Sequence, residues 1–205
     1  MTSVKTARTA QPIESLLADR WSPRAFDPGR RVEPDKLTTV LEAARWAPSC
    51  FNQQPWRYLV CDRFVSEDCW QKAWQCLVPG NQRWASKAPV LIAAVSDQAT
   101  PLANGDENRW ADYDTGAASE NLCLQASGMG LAVHQMGGFD PASLRESFNI
   151  PGGFNPIAMI ALGYPGDAES LKGWRHEQEV GPRTRQPLDD IAFAGNWGVP
   201  LGTSD

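Results

Sequence analysis

The feature that most constrains the fold is a helix-breaking stretch in the first third of the chain, Trp46–Trp56 (WAPSCFNQQPW). Apolar residues at helical spacing precede it, and a run with strand character, Tyr58-Leu59-Val60, follows it. Pro48 is disfavoured inside a helix, so the helix is predicted to end near Ala47. Irregular backbone held between rigid elements is a common location for functional residues. Taken alone, the stretch is equally consistent with a well-packed structural turn.

Length and composition indicate a single domain. The chain has 205 residues, of which 42% are hydrophobic and 21% are charged, and these values suit one hydrophobic core. Residues 1–12 are polar and are predicted to form a flexible N-terminal arm, which leaves residues 13–205 as the domain. The sequence shows no secretory signal and no apolar run near the ~20 residues of a membrane span. We therefore expect a cytoplasmic protein with no membrane partner.

Charge and cysteine usage narrow the function classes further. The net charge of -5 argues against a nucleic-acid-binding surface. The five cysteines contain no CxxC pair, which is typical of reduced thiols in a cytoplasm. Because the chain has only two histidines, the sequence argues against a zinc site. A Cys–His nucleophilic pair stays open, although no cysteine is framed as activated.

Hydrophobic periodicity predicts an α+β domain in which a few buried strands are covered by helices. The segment Val78–Arg83 is interpreted as a turn, Thr100–Trp110 as a mobile loop, and the Trp70/Trp74 pair as core or interface packing. Helices are predicted over 13–20, 34–45, 66–77 and 112–129 and from about 141, and strands over 56–61, 88–95, 131–136 and 156–163.

Two separated segments alternate arginines. In Arg20–Arg24 (RWSPR), Pro23 forces extended backbone, so the two guanidiniums and the Ser22 hydroxyl are expected to point to the same side. Arg183–Arg185 repeats the alternation near the end of the chain. Guanidinium forks match phosphate oxygens, so both segments are candidates for anion binding. For either pair alone, solvated surface arginines remain the alternative.

A double glycine, Gly137-Gly138, follows the strand predicted over 131–136. Glycine allows a ligand to approach main-chain N–H groups closely, so this turn is a candidate binding element. An ordinary turn before the helix near Pro141 explains the same residues.

Together the motifs resemble the nitroreductase family of FMN-dependent NAD(P)H oxidoreductases. The resemblance runs from Ile13 to Ile191, and the motifs occur in the family's order. They are RxSxR at 20–24, APSxxNxQPW at 47–56, Asn81 ahead of KAP at 87–89, ENL at 120–122, GGFD at 137–140, LGYP at 162–165 and RxRxPL at 183–188. The resemblance implies a nitroreductase-like α+β fold with a central, mostly antiparallel sheet flanked by helices, in an intertwined homodimer.

The resemblance also assigns residues to the FMN phosphate. Arg20 and Ser22 match positions that hold the phosphate and the ribityl chain, and Arg183 and Arg185 match the basic pair that closes on the phosphate. Arg24 matches a basic residue near N1 and O2 of the isoalloxazine. A cation there stabilises the anionic reduced flavin.

Further residues are assigned to the flavin ring. Asn81 matches an asparagine that bonds the pyrimidine side, and the backbone of Gly137 and Gly138 matches the turn that faces N5 and O4. Residues that match positions contributed by the second subunit are Pro48, Ser49 and Asn52. Residues included in the cofactor-binding set beside them are Trp21, Cys50, Trp84 and Met136.

Two positions depart from the family's pattern. Gly137 stands where members often carry a glutamate or another bulkier residue, so hydrogen bonding to N5 rests on the backbone here. Trp84 stands where some members have a lysine near the flavin. Both departures leave the FMN assignment intact, but they weaken any inference about the substrate.

The function implied is hydride transfer from NADH or NADPH, through flavin N5, to a nitroaromatic, a quinone or a similar small acceptor. Donor and acceptor use the same space in turn, so the kinetics are ping-pong, and no protein side chain is assigned as catalytic acid or base. The tryptophans and the Thr100–Trp110 loop are candidates for an aromatic-lined acceptor site, or else core and dimer filler.

Three other functions remain open from the sequence. The same scaffold supports other flavin chemistry, such as reductive dehalogenation or flavin fragmentation. An FMN-binding protein without catalysis is the second, and an arginine-based anion-binding module without flavin is the third. The sequence fixes neither the acceptor nor the choice between NADH and NADPH.

Overall fold

The computed structural model of the protein describes residues 4–202. Its centre is a four-stranded sheet in the order β1-β2-β4-β3, and every neighbouring pair is antiparallel. This confirms the predicted α+β class with an antiparallel sheet. The strands are β1 Trp56–Asp62, β2 Val90–Asp97, β3 Ala132–Met136 and β4 Phe154–Gly163.

Helices flank the sheet on both faces. They are α1 Ser15–Asp19, α2 Pro34–Arg45, α3 Glu67–Gln75, α4 Pro79–Ala85, α5 Ala111–Gly128, α6 Pro141–Phe148 and α7 Trp174–Val180, with short 3-10 turns at Cys50–Asn52, Ala168–Ser170 and Leu188–Asp190. Helices α2, α4 and α6 each begin with proline, which suits the first helical position because its missing N–H has no helical partner there.

Strand β2 is buried along its whole length, as its continuous apolar run predicts. Its side chains alternate between two core clusters. Leu91 and Ala93 face the cluster that contains Trp70, Trp84 and Leu144 of α3, α4 and α6. The neighbouring residues of β2 face the second cluster, which is formed with α2 and α5. The sheet is thus the middle layer of three.

Helix α5 is the longest element, and the predicted helix over 112–129 differs from it by one residue at each end. Small residues let other segments approach it closely. A Cβ built on Gly128 would lie 3.5 Å from Leu16 Cδ1 of α1. Farther along the same helix, Glu120 pairs with Arg20 and Asp114 accepts a hydrogen bond from the Cys50 N–H. Helix α5 therefore contacts α1, the Arg20–Arg24 segment and the Trp46–Trp56 stretch.

The predicted turn at Val78–Arg83 is wrong, because α4 occupies Pro79–Ala85. Pro79 starts the helix, and tertiary contacts hold it against the preceding helix, since the Trp74 indole N–H donates to the Gln82 carbonyl at 3.0 Å. Helix α7 was not predicted. Its sequence, WRHEQEV, is mostly polar and lacks an apolar stripe.

The predicted N-terminal arm lies partly outside the described residues, because residues 1–3 fall outside them, as do residues 203–205 at the end of the domain. Within the described part, Lys5 is buried, the Ala7 N–H donates to the Ala18 carbonyl at 2.8 Å, and Thr6 Oγ1 donates to Asp19 at 2.7 Å. The flexibility of the arm stays a prediction, as does the mobility of the Thr100–Trp110 loop. Among residues 4–202, no helix combines the length and apolar character needed to cross a membrane.

Candidate functional site

The two arginine segments meet at one cavity of about 300 Å³. Segments that are about 160 residues apart in sequence thus share one concave surface, and its lining carries no carboxylate in the described part of the chain. The lining residues are Lys5, Arg20, Trp21, Ser22, Arg24, Gln178, Pro182, Arg183, Thr184 and Arg185. Two hydroxyls, four guanidiniums and one ammonium form a donor set that fits a doubly charged phosphate.

The electrostatics of this cavity favour an anion. Burial lowers the pKa of Arg183, and the like charges of Arg185 and Arg20 lower it further. Burial also lowers the pKa of Lys5, and although Glu179 opposes this, Arg183 and Arg24 lower it again. A lowered pKa on a cation means that its charge is disfavoured where it sits. A bound phosphate would relieve that mutual repulsion.

The extended Arg20–Arg24 segment is fixed by two side chains from other elements. The buried Glu179 carboxylate of α7 accepts the Arg24 N–H at 3.1 and 3.0 Å and the Ala25 N–H at 2.9 Å. His134 Nδ1 of β3 lies 2.9 Å from the Pro23 carbonyl oxygen. The backbone from Pro23 to Ala25, at the end of this segment, is therefore held in place.

His134 is neutral at physiological pH. Burial lowers the pKa of its imidazole to about 4, and the positive charges of Arg24 and Arg20 also lower it. The hydrogen bonds to the Pro23 and Ser22 backbone raise the pKa and offset part of this effect. Because a carbonyl oxygen only accepts, the Nδ1 nitrogen carries the proton that it donates to Pro23. The imidazole thus fixes backbone next to the cavity without adding charge to it.

The arginines of the cavity differ in their partners. Arg183 donates to the carbonyls of Lys5 and Arg20 at 2.6 Å each and also to the Ala18 carbonyl. Arg20 pairs with Glu120 at 3.1 Å. Arg185 is exposed and donates to the adjacent Thr184 carbonyl at 2.9 Å. Arg183 therefore connects the C-terminal segment to the Arg20 segment, whereas Arg185 keeps its guanidinium at the cavity surface.

Asn81 lies in contact with the second residue of the double glycine. Asn81 Nδ2 donates to the Gly138 carbonyl at 3.0 Å, and its Oδ1 accepts from the Trp84 indole at 3.3 Å. A Cβ on Gly138 would lie 2.7 Å from Asn81 Nδ2 and 2.9 Å from Val78 Cγ2, so any larger residue here would force those side chains to shift. A Cβ on Gly137 would meet nothing within 4 Å, so Gly137 faces open space.

Trp84 connects this turn to the arginine cavity. The buried indole stacks on Phe26 with ring centroids 6.1 Å apart and packs against His134 at 4.6 Å. The Arg24 guanidinium lies 6.0 Å from the Trp84 ring. Met136, at the end of β3, is buried in the same core cluster as Trp84. Arg24, Trp84, Asn81 and Gly138 thus form a continuous chain of contacts.

The turn at Pro48–Asn52 lies elsewhere on the chain surface, and none of its residues lines the arginine cavity. Ser49 Oγ accepts the Gln54 N–H at 3.0 Å, which closes the turn. Phe51, Asn52 and Gln54 have φ of 49°, 56° and 50°, a conformation that non-glycine residues adopt at a cost. Phe51 is 75% exposed. The turn thus places an exposed aromatic ring on strained backbone.

A family model matches most of the chain. The model described as the nitroreductase family matches residues 17–164. This chain belongs to the nitroreductase family. Helix α7 and the Arg183–Arg185 segment, which complete the cavity, lie beyond the matched residues.

Two sequence relatives and one solved structure are similar to this chain over more than half of its length. An uncharacterized 15.4 kDa protein of Mycolicibacterium smegmatis is 35% identical over 61% of this chain and 82% of its own. The major NAD(P)H-flavin oxidoreductase of Aliivibrio fischeri is 35% identical over 88% of this chain and 97% of its own. A crystal structure described as an oxidoreductase containing FMN is 38% identical, has a TM-score of 0.88 and covers 96% of this chain and 98% of its own.

Sequence reasoning missed Glu179 and His134 of this nitroreductase-family site. The sequence offers no feature that distinguishes Glu179 from its neighbour Glu177 in a polar helix. His134 did carry a signal, because it is one of only two histidines and lies in a predicted strand. A lone histidine on an otherwise apolar strand more often packs than reacts, and here it packs and fixes backbone.

Proposed function

We propose that this protein passes hydride from NADH or NADPH to a small organic acceptor, such as a quinone or nitroaromatic, in a ping-pong reaction at an FMN site. The protein is an oxidoreductase, and FMN with NAD(P)H is its cofactor set, in keeping with the family and with the flavin oxidoreductase and FMN-containing relatives. Bound FMN would supply the two-electron chemistry. The observation that carries the proposal is the arginine cavity, whose described lining contains no carboxylate. Contacts from Arg24 to Trp84 and from Trp84 to Asn81 connect this cavity to the turn at Gly138.

In this proposal the chain's residues position and charge the cofactor rather than react. Arg20, Ser22 and Arg185 hold the phosphate, and Arg183 supports them through the backbone. Arg24 lies between the cavity and Trp84, where its positive charge would stabilise negative charge on a reduced ring. The open space at Gly137 leaves its backbone accessible to the flavin edge.

We further propose that the working unit is a homodimer in which Pro48, Ser49 and Asn52 complete the partner's cofactor site. The exposed aromatic ring of Phe51, and the strained backbone around it, support an interface at this turn. The apolar side chains of α1 are also exposed, with Leu17 at 49%. Burying such surfaces between two copies is favourable.

An anaerobic spectral titration tests the proposal. Purified protein reconstituted with FMN is titrated separately with NADH and NADPH, and the flavin absorbance is followed before a panel of quinones and nitroaromatics is added. We expect bleaching by at least one nicotinamide and reoxidation by an acceptor. A yellow protein that neither nicotinamide bleaches would overturn the reductase assignment, and a protein that retains no FMN would overturn the cofactor site.

A further inference from the structure

Two cysteines outside the arginine cavity lie unusually close together. The Sγ atoms of Cys61, in β1, and Cys69, in α3, are 3.0 Å apart. A disulfide bond is ~2.05 Å long, so the two sulfurs need to approach by only about 1 Å more. Both are free thiols in this structure. Cys61 is 1% exposed, whereas Cys69 is half-buried and reaches the surface.

The chain between the two cysteines holds them in this arrangement. The Asp62 carbonyl accepts the N–H groups of Val65 and Ser66 at 3.1 and 2.9 Å, and these bonds close the turn after β1. Ser66 Oγ then accepts the Cys69 N–H at 3.2 Å and caps the start of α3. The first turn of the helix is therefore fixed above the end of the strand, and the two thiols meet as a consequence of that turn.

We propose that Cys61 and Cys69 are a modification site at which a hydroperoxide forms an intramolecular disulfide. Cys69, the more accessible thiol, reacts first: it loses its proton, its thiolate attacks an oxygen of hydrogen peroxide, and the O–O bond breaks to give a sulfenic acid and hydroxide, which takes up the released proton to form water. The sulfur of Cys61 then attacks the Cys69 sulfur, the S–S bond forms, and the hydroxyl leaves with the Cys61 proton as a second water. Two thiols and one hydrogen peroxide thus give one disulfide and two waters.

The environment of Cys61 agrees with this order of events. Burial raises the pKa of the Cys61 thiol, and the neighbouring Cys69 and Cys76 raise it further, so Cys61 stays protonated and does not initiate. Cys76 is also buried, and its thiol donates to the Lys72 carbonyl at 3.2 Å. Cys76 is therefore less accessible to peroxide than Cys69.

The disulfide would join the edge strand to a helix that supports the glycine turn. Just past the end of α3, the Cys76 carbonyl accepts the Asp140 N–H at 2.8 Å, and the Val78 N–H donates to the Gly138 carbonyl at 3.1 Å. Oxidation at Cys69 would thus fix the element on which that turn rests. Formation of the Cys61–Cys69 disulfide depends on the two thiols and on neither FMN nor hydride transfer.

Peptide mapping of peroxide-treated protein tests the inference. Reduced full-length protein is treated with hydrogen peroxide, the reaction is stopped with catalase, and the protein is denatured, alkylated and digested with and without a phosphine reductant. We expect a phosphine-sensitive Cys61–Cys69 linked peptide and two fewer alkylated thiols than in untreated protein. A map in which Cys69 is sulfinic while Cys61 is still alkylated, or in which Cys69 links to Cys76, would overturn the proposal, as would the absence of any link.

Two variants provide matched controls. Cys69→Ser removes a half-buried thiol and should leave Cys61 alkylatable after peroxide treatment, with the circular dichroism spectrum of the wild type. Cys50→Ser removes another half-buried thiol and should form the Cys61–Cys69 link to the wild-type extent. Loss of the link in Cys50→Ser would point to an intermolecular route and contradict the proposal, whatever the folding of the Cys69 variant.

Discussion

The Glu179 carboxylate accepts the backbone N–H of Arg24, which lies 3.1 and 3.0 Å from its two oxygens, rather than the Arg24 guanidinium. The guanidinium of Arg24 is left to bond Gln178 Oε1 at 3.1 Å and to lie 5.2 Å from the Trp174 ring. A buried carboxylate is costly unless it is fully hydrogen-bonded, and here backbone donors satisfy it. Helix α7 thus sets the position of the segment that carries the arginines.

Glu179→Gln should weaken both the fold and the cofactor site. The amide presents an NH₂ group where two backbone N–H donors need acceptors, so charge-assisted bonds are lost. We expect a loss of about 2–3 kcal/mol in the free energy of unfolding, together with weaker FMN binding. Urea denaturation and flavin fluorescence titration measure the two effects. Glu177→Gln, on an exposed position of the same helix, is the control and should change neither; equal effects from both variants would contradict the positioning role.

Alanine substitutions at Arg185 and Arg183 should distinguish a loss of FMN binding from a loss of thermal stability. Arg185→Ala removes an exposed guanidinium that, among residues 4–202, bonds only the adjacent carbonyl. We therefore expect FMN affinity to fall on the order of ten-fold at low salt with unchanged thermal stability. Arg183→Ala also removes donors to three carbonyls and should lower both quantities. FMN titration at two salt concentrations measures the affinity of each variant, and thermal melts measure its stability. Undiminished flavin occupancy in Arg185→Ala would count against a phosphate in this cavity.

Alanine substitutions at the two glycines of the turn should change the stability of the protein in opposite directions. Gly138→Ala places a methyl group against Asn81 and Val78, and such overpacking costs about 1–3 kcal/mol. Gly137→Ala meets no protein atom and should leave stability equal or slightly higher. If the flavin edge approaches Gly137, that variant should nevertheless retain less FMN. Wild-type retention by Gly137→Ala would show that the cofactor does not approach this residue.

Much of the framework was predictable because local chemistry agrees with the fold. The buried strand β2, the small-residue helix α5 and the proline that ends α2 each have a sequence pattern with one structural solution. The convergence of Arg20–Arg24 and Arg183–Arg185 on one cavity was implied by family resemblance and by the need of an anion for several cations. The structure adds that Arg183 bonds mainly to carbonyls, which residue type alone does not reveal.

What was not predictable depends on tertiary context. Helix α4 contains Gly80 and lies in a segment that reads as a turn, and contacts such as Trp74 to Gln82 stabilise it. Helix α7 is polar, and Glu179 is buried where its carboxylate accepts the backbone N–H groups of Arg24 and Ala25. The strand order β1-β2-β4-β3 follows from long-range pairing that no local pattern encodes.

His134 should make stability depend on pH in a defined window. Its folded-state pKa is lowered to about 4, whereas the unfolded value is about 6.5. Above about pH 6.5 both states are neutral and the contribution is fully present. As the pH falls towards 4, the unfolded chain takes up a proton that the folded chain does not, so the free energy of unfolding decreases by up to about 3 kcal/mol.

Two measurements check this dependence. In urea titrations from neutral to acidic pH, the stability gap between wild type and His134→Gln should narrow by about 2–3 kcal/mol. In a His176→Gln background, the single remaining imidazole should titrate near pH 4 by NMR. A gap that does not change with pH, or a midpoint near that of a free histidine, would show that His134 is not held neutral.

Asn52 provides the test of the shared site, because its backbone and side-chain effects can be separated. Its φ of 56° is costly for alanine but not for glycine, so Asn52→Ala adds strain of about 1–2 kcal/mol that Asn52→Gly avoids. If the side chain contacts the partner's flavin, both variants should lose FMN to a similar extent, and only Asn52→Ala should also lose stability. Sedimentation velocity, flavin fluorescence and thermal melts on the same samples separate these effects. A stable monomer that retains FMN and oxidises NAD(P)H at the wild-type rate would contradict the shared site, because the exposed turn at Phe51 would then have no partner to meet.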